Sequence, residues 1–175
     1  LDKHDIVSSI LALCNTSTKN KKGEYVGDAV DVALLNFLES KKVSSDSVKR
    51  QYKKVVEIPF DSERKMMSFV YQSDGEKTIF TKGSTQSVLK NCSYVLKNGK
   101  VIKITKALKD LILEKEEALS KKALKVIALA YRENVNNHKE EEEYMSEESH
   151  LTFVGLVAMK DPARSDVKNA ILKCK

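Results

Sequence analysis

Two short runs carry the side chains best suited to chemistry: Phe60-Asp61-Ser62-Glu63-Arg64-Lys65 and, one hairpin later, Thr81-Lys82-Gly83-Ser84. They bring an aromatic ring and two lysine amines to neighbouring strand ends. A ring offers a flat apolar face to a nucleobase, and an ammonium is a mobile point charge for a phosphate. The chain has no G-x-x-x-x-G-K-[ST] loop to cradle phosphates on backbone amides, so a nucleotide site here would be built from side chains. Pro59 fixes the backbone just before Phe60, which lets the ring stand at a sheet rim; the competing role is an ordinary core aromatic. Gly83 beside Lys82 allows a ligand close to the backbone, or serves a plain strand-to-helix turn. Lys65 and Lys82 approach each other only if the hairpin between them pairs in register.

Other reactive side chains form no constellation. Cys14, Cys92 and Cys174 are odd in number, far apart and without C-x-x-C spacing, which argues against a disulfide framework or zinc site and for a reducing compartment. His4, His138 and His150 lack metal-ligand spacing, and no Ser-His-Asp or Cys-His set exists. We therefore assign no metal ligand and no catalytic residue.

The 175 residues, 41% hydrophobic and 32% charged, suit one domain with a proper core, or one domain plus a fragment of another. No stretch approaches the roughly 20 apolar residues of a membrane helix. The first residues lack the plan of a signal peptide, the last ones stop within a helical pattern, and both ends read as internal cuts. The net charge of +6 comes from lysines spread along the chain, with arginine only at Arg50, Arg64, Arg132 and Arg164. A nucleic-acid binder would cluster arginine with aromatics on one face, so no nucleic-acid partner is expected.

The elements that must position the two runs follow from periodicity. Apolar spacing predicts helices over 5–13 and 28–39, with Thr16 to Glu24 as a surface loop between them. Val55 to Ile58 reads as a strand ended by Pro59. Met66 to Gln72 and Glu76 to Thr81 flank Ser73-Asp74-Gly75 as a hairpin, and residues 93–104 form another that turns at Asn98-Gly99. A short helix lies between them, over 86–92. Thr105 caps a long helix, Leu124 to Tyr131 reads as a central strand buried on both faces, and Leu151 to Met159 is a last strand. The polar stretch 134–149, with its acidic run Glu140 to Glu143, is expected to be a solvated loop, partly helical. Hairpins dominate, so the fold class is α+β: a mostly antiparallel twisted sheet flanked by helices.

The blocks in order resemble P-type cation-transporting ATPases. They are Gly27-Asp28-Ala29-Val30-Asp31-Val32-Ala33-Leu34, Phe60 to Ser68, Thr81-Lys82-Gly83, Leu129-Ala130-Tyr131-Arg132, and Phe153 to Val157 running into Met159-Lys160-Asp161-Pro162-Ala163-Arg164. Together they cover nearly the whole chain, and the likeness is closest to the calcium-pump-like subgroup. The resemblance implies a nucleotide-binding (N) domain over 1–159 and, over 160–175, the hinge and start of the phosphorylation (P) domain, with Asp161, Pro162 and Arg164 at the hinge. It implies ATP as ligand, as Mg-ATP in the intact pump. Phe60 would stack on adenine, Lys82 line the adenine cavity, Lys65 lie toward the phosphates, and Asp31 bond near the adenine amino group.

Arg132 would reach the polyphosphate by the same resemblance, the rival being an ion pair with Glu133 or a loop carboxylate. The chain departs from the family at Asp31, where many relatives have Glu, at Ser62, often an arginine, and at Ser84-Thr85-Gln86, usually Ala-Pro-Glu. It contains no Asp-Lys-Thr-Gly-Thr, Thr-Gly-Glu or Gly-Asp-Gly motif, so this stretch is expected to bind ATP without turning it over. The resemblance further implies a multi-pass membrane parent with this domain on the cytoplasmic side. The partners would be the phosphorylation and actuator domains of the same polypeptide. Calcium is the expected ion, with sodium, potassium or proton pumps as alternatives and a basic nucleic-acid-binding domain as the remote one. The acidic stretch Glu140 to Glu148 could also dock a partner or regulatory segment.

Overall fold

Strict alternation of side chains along paired strands gives the sheet two apolar faces, and each is covered by a different group of helices. The computed structural model describes residues 6–138, 140 and 142–160. In chain order the elements are α1 (Ile6–Leu13), β1 (Thr18–Lys19), β2 (Tyr25–Val26), α2 (Ala29–Ser40), α3 (Ser45–Lys49), β3 (Lys53–Asp61), β4 (Met66–Ser73) and β5 (Glu76–Gly83). There follow α4 (Thr85–Asn91), β6 (Cys92–Lys97), β7 (Lys100–Lys103), α5 (Lys106–Ser120), β8 (Leu124–Glu133), a 3₁₀ segment Glu142–Glu147 and β9 (Leu151–Lys160). Seven strands form one sheet in the order β3-β4-β5-β8-β9-β6-β7. Only the β6–β9 pair is parallel. This is the α+β architecture expected from the hairpins, with β8 central as its apolar run required.

On the first face Met67, Phe69, Phe80, Leu129 and Tyr131 pack against α1, α2 and α3. On the second, Met66, Val70, Ile79, Ala128 and Ala130 pack against α4 and α5. Alternation makes the face of any strand residue predictable from its cross-strand partner. Lys82, opposite Met67 on β4 and Leu129 on β8, therefore belongs to the first face. Ser68 and Thr81, opposite each other, belong to the second.

Local chemistry sets the element ends. Both hairpins turn on residue pairs with two positive φ angles, Asp74-Gly75 (51° and 85°) and Asn98-Gly99 (50° and 74°), the backbone that suits the strands' twist. Asp28, Ser44, Ser84 and Thr105 cap their helices by accepting backbone N–H bonds. Ser84, where the family usually has Ala, caps the start of α4.

Three expectations change. Strand β3 does not stop at Pro59 but continues to Asp61, across an irregularity between Ile58 and Asp61. Proline is tolerated there because β3 is an edge strand and its outer N–H groups need no partner. The stretch 16–24 is not a plain loop: β1 lies within it and pairs with β2, just beyond it, in a small antiparallel ladder. The stretch 134–149 is not simply solvated, since Tyr144, Glu147 and Glu148 are buried.

Candidate nucleotide site

Phe60, Lys65, Lys82 and Gly83 lie at one end of the sheet. Phe60 sits in the irregular stretch of β3 and is 60% exposed, so the core-aromatic role does not apply. Burying a phenylalanine ring stabilises a fold by about 1.5–3 kcal/mol, and here that contribution is left for something else to collect. Across β4 from it lies Lys82 on β5, two strand spacings or about 10 Å away along the sheet.

Lys82 is almost wholly buried, and its Nζ forms an ion pair with the equally buried Asp31 carboxylate on α2. The other oxygen of Asp31 accepts the Thr16 backbone N–H and hydroxyl, each at 2.8 Å. Asn15 Nδ2 donates to the Asp31 carbonyl at 2.9 Å. The shorter side chain of Asp31 thus reaches the lysine without a water between them. Two charges out of water need this degree of satisfaction to be tolerated. The Cys14 thiol lies beside the pair, and burial pushes it from the usual 9.0 up to about 12.

Lys65 carries a left-handed backbone (φ 54°) in the turn between β3 and β4, and its side chain is exposed. Its carbonyl accepts the Ser84 N–H at 2.8 Å, which fastens the turn to the end of β5. The hairpin pairs in register, Met66 opposite Gly83 and Met67 opposite Lys82, so Lys65 and Lys82 are brought to the same sheet end. Gly83 is explained by packing. A Cβ there would meet the Met66 Cβ, the Lys65 carbonyl at 2.5 Å and the Met66 Cα at 2.7 Å. The backbone approaching it is that of β4.

Arg132 does not join this group. It pairs with Ile79, three residues up β5 from Lys82, which puts it on the opposite face of the sheet. Its guanidinium forms an ion pair with the buried Glu147 and donates to the Ser149 carbonyl at 2.6 Å. The loop carboxylate named as a rival partner in the sequence is thus Glu147.

Lys125, passed over in the sequence as one lysine among many, is exposed on the face of Lys82, four residues along β8 from Leu129. Its strand parity was the available signal. Ser62 is exposed in the β3–β4 turn, and Asp161, Pro162 and Arg164 lie outside the described residues.

The family model described as "P-type ATPase, cytoplasmic domain N" matches residues 5–166 of this chain. The chain belongs to the P-type ATPase N-domain family. The Calcium-transporting ATPase 1 of Bacillus cereus is 36% identical over 165 residues, 94% of this chain and 18% of that protein. The Calcium-transporting ATPase 1 of Lactococcus lactis is 35% identical over 170 residues, 97% of this chain and 19% of that protein. The Sodium/potassium exporting P-type ATPase cta3 of Schizosaccharomyces pombe is 33% identical over 170 residues, 93% of this chain and 16% of that protein. The N domain thus spans less than a fifth of each of these relatives. No described helix is long and apolar enough to cross a membrane.

Proposed function

We propose that this N domain binds ATP and presents it to the phosphorylation domain of a membrane-embedded calcium pump, on the cytoplasmic side. Adenine stacks on Phe60 and lies over the Asp31–Lys82 pair. The phosphates, with their magnesium ion, run toward Lys65 and Lys125. Gly83 keeps β4 and β5 close enough to hold Lys65 beside Lys82. Residues 160–175, with Asp161, Pro162 and Arg164, lead back to the phosphorylation domain, whose aspartate accepts the γ-phosphate. This chain contributes position and closure to that step and no bond-making group. The observation that carries the reading is the exposed Phe60 ring at the same sheet end as the buried Asp31–Lys82 ion pair. Calcium is favoured over sodium or potassium by the names of the bacterial relatives.

One stack and two or three exposed charge contacts, less the cost of association, give a dissociation constant on the order of 0.1 to several millimolar. Titrating the ¹⁵N-labelled chain with ATP tests this. Saturable shifts at Asp31, Phe60, Lys65 and Lys82 are expected, with no loss of γ-phosphate over the experiment. Absence of saturation at about 10 mM contradicts it.

A further inference from the structure

Glu148 and Arg64 are 84 residues apart and meet in a part-buried ion pair, its carboxylate the buried partner. Arg64 is in the turn that follows Phe60. One of its terminal nitrogens bonds Glu148; the other donates to the carbonyl of Pro59, the residue before Phe60, at 2.6 Å. The second Glu148 oxygen accepts the Ser68 hydroxyl at 2.6 Å, and Ser68 bonds Thr81, the neighbour of Lys82, at 2.8 Å. Asp61 tightens the same turn by accepting the N–H groups of Glu63 (3.0 Å) and Arg64 (2.8 Å). The stretch 59–65 therefore has few ways to move while Arg64 holds both ends of its fork.

We propose that Glu148, through Arg64, is the positioning residue for the Phe60 platform, so that the acidic segment before β9 sets how well this domain holds adenine. The inference rests on the reading of Phe60 as the adenine stack. The geometry asks for this fork in particular. Phe60 lies in an irregular part of an edge strand, where ladder hydrogen bonds do not fix the backbone. A planar guanidinium can bridge a carboxylate and a carbonyl at fixed angles, which a lysine ammonium cannot. Glu148 is buried against Ser68 on the second sheet face, away from Lys82, so it acts on the nucleotide through the turn.

The test is a set of ATP titrations on the chain, each with a thermal melt. Glu148→Gln and Arg64→Lys should weaken ATP about three- to tenfold, the lower part of the coupling found between groups in one network, and Glu148→Asp should recover part of the loss. In a Phe60→Ala background the same changes should have no further effect. An equal loss from Glu148→Gln with and without Phe60 would overturn the proposal, as would unchanged affinity in a folded Arg64→Lys variant. If Phe60→Ala alone leaves ATP binding intact, the stacking reading itself fails, which is a distinguishable result.

Discussion

Lys82 and Asp31, 51 residues apart, neutralise each other inside the domain, on the face of the sheet that carries α1 and α2. If adenine stacks on Phe60 as proposed, the Lys82 ammonium is already paired with a carboxylate when the nucleotide arrives. On that proposal the phosphate charge falls to the exposed Lys65 and Lys125. The pair is a structural contact between α2 and β5, and substitution can measure what it contributes to stability.

Lys82→Met should destabilise the domain by about 3–5 kcal/mol, because it leaves a buried carboxylate with only the two Thr16 donors. Adding Asp31→Asn should restore at least half of that loss. Urea unfolding of the two single variants and the double variant checks this; simple additivity would mean that the two groups do not interact.

Gly83→Ala should cost about 1–3 kcal/mol through overpacking. The new methyl meets β4 backbone, which has no rotamer to yield. A melting temperature unchanged in this variant would show that β4 and β5 separate easily at Lys65.

Arg132→Ala should destabilise the domain, again by about 3–5 kcal/mol, by removing the guanidinium from the buried Glu147 carboxylate, and leave ATP affinity within about twofold. Glu147 would still accept from Asn136 Nδ2, at 3.0 Å, and from His138. A tenfold loss of affinity in a folded Arg132→Ala protein would return Arg132 to the phosphates.

Burial raises both Cys14 and Cys92 from the usual 9.0 to about 12. The native state keeps two protons that the unfolded chain gives up above pH 9. Stability is therefore full below pH 9 and falls between pH 9 and 12, by at most about 1.4 kcal/mol per pH unit for each thiol. Denaturant midpoints measured across that range should decline, and replacing both cysteines by alanine should flatten the decline. A slope unaffected by that replacement would assign the alkaline loss to other groups.

Much of this was legible in the residues themselves. Asp74-Gly75 and Asn98-Gly99 announced their hairpins because few other dipeptides take two positive φ angles cheaply. The continuous apolar run of β8 announced a strand covered on both faces. The pairing of Lys82 with Asp31 was not legible, since a lysine reads as surface until its strand face is known. Arg132 shows the converse. Its motif drew attention to a cation, but the face it occupies depends on the β5–β8 register, which no local pattern states. Glu147 and Glu148 were hidden by composition, because in a run of acidic residues nothing marks the two that turn inward to meet arginines. Pro59 was read as a stop and proved to be an edge-strand kink, a difference set by strand order alone.

The central claim is that Phe60 is the adenine platform, and calorimetric titration of ATP into the wild-type chain and Phe60→Ala tests it most directly. Stacking contributes roughly 1–3 kcal/mol. The account therefore predicts at least a fivefold weaker dissociation constant for Phe60→Ala, about 1 kcal/mol, with an unchanged melting temperature, since the ring is exposed. Equal affinities in the two proteins would contradict it.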